Sequence, residues 1–269
     1  TKVWHTDTYP SIRPSKPELS LAGKSVVITG GGLGIGRAIA QSFAKGHILQ
    51  ENSFKISSIS NSVEVFLAPA DISNKAEVEQ AFAAIKDAFG PLEIMVNNAA
   101  YFAGASSILD EPIDKWLTSF EVNVKGTFLV AKAFLAISNP TPTVVNITSA
   151  IAHMPSSYFP GYSAYAASKM ASTRFFDYLL SESPKLHVVS IHPGQVVTEM
   201  AEKVGMTTPI DLVELPTDFT VWAVSPEGKF LNGKLVWANW DVEELKARAR
   251  QIERGGLLTI AIEGWPFQS

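Results

Sequence analysis

The chain has 269 residues, of which 46% are hydrophobic and only 18% charged, so it has ample material for one large core and too little charge for intrinsic disorder. Lysine and arginine number 22 against 26 acidic residues, a net charge of −4. There is thus no basic excess to neutralise a phosphate backbone, and no nucleic-acid partner is expected. No cysteine is present, which excludes a disulfide scaffold, a thiolate nucleophile and a cysteine-ligated metal. With no apolar leader run and no stretch of transmembrane length, a soluble, cytoplasmic protein without membrane contact is expected.

The predicted elements alternate. Residues 1–20 hold three prolines and are expected to form an arm laid over the surface. Ser25–Thr29 reads as a buried strand. Glycines follow, then Ile35, Ile39 and Phe43, apolar every fourth residue as on one helix face. Val63–Ala68 reads as a second strand. Asn74 with Glu77 three places on has the form of a capping box, opening a helix striped with Val78, Phe82, Ile85 and Phe89 and stopped by Gly90-Pro91. Leu92–Val96, Thr143–Ile147, His187–Ile191 and Lys234–Ala238 read as further strands, separated by helical stretches over about 113–137 and 165–180. Such alternation predicts a single doubly wound α/β domain, its parallel sheet covered by helices on both faces. The expected organisation is an arm over 1–20, a dinucleotide-binding and catalytic domain over 21–240, and a C-terminal helix with an apolar tail over 241–269. That tail, Leu257–Ile262 and Trp265–Phe267, is expected to meet a partner subunit or close the substrate pocket.

One stretch resists this pattern. Residues 47–62 contain no strand, yet the doubly wound order 3-2-1-4-5-6-7 needs one between the Val63 and Ser25 strands. Without it, ladder groups inside the sheet would go unpaired. A segment of about one strand and its turn is therefore expected to be missing between Gly46 and His47. The end of that strand would lie at the carboxyl edge of the sheet, where doubly wound folds bind their ligands.

Thr29-Gly-Gly-Gly-Leu-Gly-Ile-Gly36 follows a strand and opens a helix. There, glycines let the backbone turn tightly around a pyrophosphate held on helix N–H groups. The spacing Thr-Gly-x-x-x-Gly-x-Gly resembles that of the short-chain dehydrogenase/reductase family, fungal members in particular. Six further motifs follow in the family's order: Asp71-Ile72, Asn97-Asn98-Ala99-Ala100 (where the family commonly ends in glycine), Asn123-Val-Lys-Gly126, Ser149, Tyr165-Ala-Ala-Ser-Lys169, and Pro193-Gly194 with Val196 and Thr198.

The resemblance implies a Rossmann-type fold and a catalytic set of Asn123, Ser149, Tyr165 and Lys169. It implies cofactor contacts from Gly30, Gly34, Ile35, Gly36, Asp71, Ile72, Asn98, Ala99, Tyr165, Lys169, Pro193, Gly194, Val196 and Thr198. It further implies NADP or NAD as cofactor, a homodimer or homotetramer, and a water in the proton relay anchored by Asn123.

The chemistry suits the residue types. Tyr165 and Lys169 lie four apart and share a helix face. A lysine ammonium and an oxidised nicotinamide beside the phenol would favour its phenolate, making Tyr165 the proton acceptor or donor. The Ser149 hydroxyl would hold the substrate oxygen. Tyr162 lacks a lysine four residues on. Sixteen positions separate Ser149 from Tyr165, about three more than is usual in the family. The extra length falls in His153–Tyr158, a loop that could line the pocket. Tyr101, Phe102, Met154, Tyr158, Phe159, Met200 and Met206 flank these segments and suggest an apolar small-molecule substrate. No histidine pair has metal spacing, so no metal is expected, and the Gly-x-Ser-x-Gly elbow of a hydrolase is absent. The expected reaction is hydride transfer between nicotinamide and a secondary alcohol or ketone. The alternatives are a non-redox dehydratase or cyclase on the same scaffold and a non-catalytic NAD(P)-binding protein.

Overall fold

The computed structural model describes residues 1–47, 64–202, 205 and 207–262. Among the described residues, five parallel strands form one sheet in the order β1-β2-β3-β4-β5: β1 (Val26–Ile28), β2 (Leu92–Asn97), β3 (Ser138–Ile147), β4 (His187–His192) and β5 (Lys234–Trp237). The connections carry α1 (Gly34–His47), α2 (Lys75–Phe89), α3 (Ile113–Phe120), α4 (Thr127–Ile137), α5 (Ser163–Glu182), the short α6 (Glu199–Glu202) and α7 (Glu214–Val224). After β5 come α8 (Val242–Ala247) and α9 (Ala249–Arg254).

Strand side chains alternate between two cores, as parallel strands buried on both faces require. Ile94, Val96, Val145 and Val189 pack against Ile39 and Phe43 of α1 and Phe219 and Trp222 of α7. Met95, Val144 and Val188 pack against Phe82 of α2, Phe134 of α4 and Phe176 of α5. The expected stripe of α2 is the one buried. Its start is capped as predicted, with the Asn74 side chain accepting from the Ala76 and Glu77 amides. The Glu77 carboxylate reaches back to the Asp71 amide at 2.7 Å. Gly90, at φ 70°, ends the helix in a backbone that L side chains avoid.

Three expectations are corrected. Residues 64–70 form no strand: Val65, Phe66 and Leu67 stay exposed, because no neighbouring described strand offers them a ladder. Val63 and the rest of the 48–63 stretch lie outside the described residues. The chain as given is continuous where a segment was expected to be missing, with α1 running through both Gly46 and His47. β1 therefore stands at the edge of the described sheet. Finally, the N-terminal arm is not merely superficial. Ile12 and Leu19 are completely buried in the α1/α7 core, and the Lys2 and Val3 amides donate to the Glu244 carboxylate at 2.7 and 2.9 Å.

The C-terminal stretch is described to Ile262. The Leu258 carbonyl accepts from the Leu235 amide at 2.8 Å, which occupies part of β5's outer edge, while Ile262 is exposed. Trp265–Phe267 lie outside the described residues. No described helix is long and apolar enough to cross a membrane.

Candidate active site and cofactor cleft

The glycine-rich turn opens α1 at the carboxyl end of β1, where doubly wound sheets bind their ligands. Gly30 and Gly34 have φ of 66° and 50°, accessible to glycine at little cost. Gly36 is required by close approach. A Cβ there would lie 2.3 Å from the Gly30 carbonyl oxygen and 2.5 Å from the Asn98 amide nitrogen. Thr29 joins this turn to the next strand end, its hydroxyl accepting from the amides of Asn98 and Ala99, both at 3.0 Å. The Asn98 side chain donates back to the Thr29 carbonyl at 2.9 Å. Sequence reasoning passed over Thr29 as a mere motif boundary. Ile35 is part-buried against the α1/α7 core. The cradle suits a pyrophosphate: Gly32 has open space where a Cβ would stand, and the first-turn amides of α1 face this end.

The Pro193–Thr198 segment closes the other side. The Thr198 methyl carbon lies 3.3 Å from where a Gly34 Cβ would stand, so the two cofactor motifs adjoin. Gly194 has a φ of 85°. Behind it, the buried Asp211 carboxylate accepts from the Gln195 amide at 2.6 Å and from the Asn239 side chain at 2.8 Å. Asn239 also donates to the His5 carbonyl at 2.9 Å, which ties the arm to this segment. Val196 is buried. Asp71 and Ile72 follow a segment that forms no strand. Asp71 accepts from the Ser73 hydroxyl and amide, and these bonds hold its carboxyl below the usual range. Ile72 packs within 2.8 Å of where a Gly126 Cβ would stand, beside the asparagine motif.

Asn123 lies in a π-helical turn, Glu121–Gly126, between α3 and α4. The sequence reads as one uninterrupted helix here, whereas π turns are often found at functional sites. The Asn123 side chain is buried and fully engaged. It accepts from the Tyr101 amide at 2.7 Å and donates to the Tyr101 carbonyl and the Ser168 hydroxyl, both at 2.9 Å. It thus fastens the segment after β2 to α5.

Tyr165, Ser168 and Lys169 share one face at the start of α5. The Lys169 ammonium donates to the Ile147 carbonyl at 2.8 Å and lies 5.8 Å from the centre of the Tyr165 ring. Burial lowers Lys169 to about 8 and raises Tyr165 to about 12. The expected phenolate-favouring effect of the lysine is therefore outweighed in the protein alone, because desolvation penalises both charged forms. Ser149 follows β3 in an extended conformation. Its hydroxyl makes no hydrogen bond to another described residue, so it is available to a ligand. The next amide, of Ala150, donates to His192 Nδ1 at 3.1 Å. That bond requires a neutral imidazole with its proton on Nε2, and burial accordingly holds His192 down to about 3.

Beneath these residues runs a buried polar ladder that sequence reasoning missed. Asn97 donates to Asn146 at 3.1 Å, and Asn146 to Ser190 at 3.2 Å. Asn146 also donates to the hydroxyl of Thr173 on α5 at 3.4 Å, and Thr173 in turn pairs with the Thr148 hydroxyl at 2.8 Å. Adjacent strands are pinned in register immediately below the site.

Of the aromatic residues expected to flank it, Phe102 stacks on Tyr162 at 5.2 Å and leans on Tyr165 at 5.0 Å. Tyr162 thus acts as packing, while Tyr158 is exposed and Met206 lies outside the described residues.

Comparison with known proteins agrees with the fold. Residues 24–208 match the short chain dehydrogenase family. The short chain dehydrogenase pigC of Monascus ruber is 32% identical over 285 aligned positions, covering 97% of this chain and 92% of the relative. The short chain dehydrogenase/reductase AacuD of Aspergillus aculeatus is 31% identical, covering 97% and 96%. Those 285 positions exceed the 269 residues of the chain, so the relative carries residues where this chain has none. Among solved structures, a short chain dehydrogenase from Burkholderia cenocepacia in complex with NADP superposes with a TM-score of 0.68 at 25% identity, over 83% of this chain and 99% of that one. A short-chain dehydrogenase/reductase from Serratia marcescens shares the fold, with a TM-score of 0.70 at 22% identity over 81% and 96%. The chain belongs to the short-chain dehydrogenase family and is an NAD(P)-dependent oxidoreductase.

Proposed function

We propose that this chain reduces the carbonyl of an apolar small molecule to a secondary alcohol, and runs the reverse reaction when the alcohol is in excess. The observation that carries this reading is the juxtaposition of Tyr165 and Lys169 at the head of α5, with the Ser149 hydroxyl unengaged at the end of β3. Gly30, Gly34, Gly36, Asn98 and the Pro193–Thr198 segment form the cleft that would hold the nicotinamide nucleotide. When bound, that nucleotide supplies or accepts the hydride. The chain's own part is the proton. With Tyr165 raised to about 12, the phenol keeps its proton at neutral pH and is ready to hand it to a carbonyl oxygen. Ser149 donates a hydrogen bond to the same oxygen as charge builds on it. Lys169, fixed on the Ile147 carbonyl, brings a positive charge toward the phenol oxygen and would reach the ribose hydroxyls. Asn123 acts through position, holding Tyr101 and Ser168.

NADP is the proposed cofactor. The Burkholderia relative's NADP complex supports it. So does Arg37, exposed at the rim of the turn with its Nε donating to the Gly32 carbonyl at 2.7 Å, which leaves the rest of the guanidinium for a ribose phosphate. We also propose a cytosolic homodimer or homotetramer. Leu117 of α3, Phe128 of α4 and Tyr178 of α5 are exposed, an apolar surface that a second copy would cover.

The experiment is to follow oxidation of NADPH and NADH by the purified chain against a panel of ketones. Turnover with NADPH supports the reading, and binding of NADPH with no turnover of any carbonyl compound refutes it.

A further inference from the structure

Ser149 leaves β3 at the point where the sheet ladder stops. The last rung between β3 and β4 is the Thr148 amide donating to the Ile191 carbonyl at 2.9 Å. The next rung of a parallel ladder would need an N–H at position 193 to meet the Thr148 carbonyl, and Pro193 has none. A side chain takes over at this place. His192 Nδ1 accepts from the buried Ala150 amide at 3.1 Å. That amide belongs to the peptide joining Ser149 to Ala150, and a peptide is planar. Fixing its N–H therefore fixes ψ of Ser149, which is extended at φ −153° and ψ 151°. The same peptide's carbonyl accepts from the Ala152 amide at 3.1 Å. The Ser149 hydroxyl has no hydrogen bond to another described residue, so its aim depends on this main chain.

The imidazole is itself held. Trp237 of β5 meets it edge-on, with ring centres 4.5 Å apart and planes at 75°. Trp237 Nε1 also donates to His153 Nε2 at 3.0 Å, just beyond the turn. The Ala238 amide donates to the His192 carbonyl at 2.9 Å. The ends of β4 and β5 thus grip Ser149–His153 at two points. An apolar side chain at 192 could pack on Trp237 as well, but it would leave the Ala150 amide buried without a partner.

Resting on the carbonyl-reductase reading, we infer that His192 is a positioning residue for Ser149: it aims the serine hydroxyl at the substrate oxygen by holding the Ser149–Ala150 peptide, and its effect on turnover passes through that serine.

The test is a double-mutant cycle on the full chain. His192→Leu and His192→Asn are each made in the parent and in Ser149→Ala, and NADPH oxidation is followed on a ketone that the parent reduces. Asparagine keeps an acceptor near the place of Nδ1, and leucine does not. His192→Leu should lower kcat about ten- to hundredfold, the scale for misplacing a reacting group by about 1 Å. KM for NADPH should stay within about threefold of the parent's, and His192→Asn should recover most of the loss. In Ser149→Ala, His192→Leu should change kcat by less than about twofold, because groups that act as a unit are non-additive. Parental kcat in His192→Leu, no recovery with asparagine, or an equal proportional loss in both backgrounds would overturn the assignment. Exchange of the Ala150 amide, read by NMR without cofactor or ketone, should be slow in the parent and in His192→Asn and fast in His192→Leu. Equal exchange in the parent and His192→Leu would refute the clamp whatever the turnover. The expected exchange pattern in a parent that reduces no ketone would uphold the clamp on Ser149 while refuting the reductase reading, so the two failures are distinguishable.

Discussion

Replacing Asn123 with alanine isolates the positioning role assigned to it. The side chain is 2% exposed and makes three hydrogen bonds, with the Tyr101 amide at 2.7 Å and with the Tyr101 carbonyl and Ser168 hydroxyl at 2.9 Å each. Asn123→Ala leaves both backbone groups of Tyr101 without a partner, at about 1–3 kcal/mol apiece, and loses a net contribution of about 1 kcal/mol to Ser168. Tyr101 is part-buried, so water relieves some of this, and a total near 3 kcal/mol is expected. Against a domain stability of about 5–15 kcal/mol that is a large fraction, equivalent to a fall in Tm of roughly 6–12 °C for a chain of this size. Asn123→Asp should not rescue it, because the Tyr101 carbonyl would then meet an acceptor in place of a donor, and the Ser168 hydroxyl could donate to the new carboxylate only by giving up the Tyr165 carbonyl. Ser168 also donates to the Tyr165 carbonyl at 2.9 Å, so turnover should fall together with stability. The assay is thermal and urea unfolding of both variants beside the parent chain. A loss below about 1 kcal/mol in Asn123→Ala would refute the clamp.

Two other outcomes follow from the geometry. Gly36→Ala places a methyl 2.3 Å from the Gly30 carbonyl oxygen, and such overpacking costs about 1–3 kcal/mol. Fluorescence titration should therefore show NADPH binding weakened about tenfold or more, and unchanged binding would count against the cradle. The second concerns pH. Lys169 sits at about 8 in the folded chain against an ordinary 10.5. Between those values the unfolded chain holds a proton that the folded chain has released, so this group's destabilisation is fully present below pH 8 and is relieved as pH rises toward 10.5. Unfolding free energies measured across that window should rise less in Lys169→Met than in the parent, and identical profiles would contradict the burial argument.

Much of the fold was readable because helices advertise themselves locally. The Val78, Phe82 and Ile85 stripe, the Asn74–Glu77 cap and the Gly90 stop all depend on neighbours a few positions away, and all appear as expected. The glycine turn that opens α1 and the Tyr165–Lys169 pair on α5 were likewise legible as geometry, since strand–glycine–helix and Tyr-x-x-x-Lys are short-range patterns. What stayed hidden depends on distance. Val63–Ala68 has strand-like residues, but a strand exists only where another offers a ladder, and none is described there. The π turn at Asn123 interrupts α3 and α4 without altering composition. The Asp211–Asn239 support of Gly194 spans 28 positions. The direction of the Tyr165 and Lys169 shifts was missed for a related reason. Their separation in sequence speaks to mutual charge, whereas burial, which prevails here, is a property of the packed structure.

The central claim is that Tyr165 is the proton donor of an NADP-linked carbonyl reduction, and Tyr165→Phe tests it most directly, since it removes one oxygen. Steady-state NADPH oxidation by the variant and the parent, on whichever ketone the parent turns over, should differ by at least about two orders of magnitude in kcat, the lower bound for losing general acid catalysis. NADPH affinity should remain close to the parent's. Turnover by Tyr165→Phe at the parental rate would contradict the account.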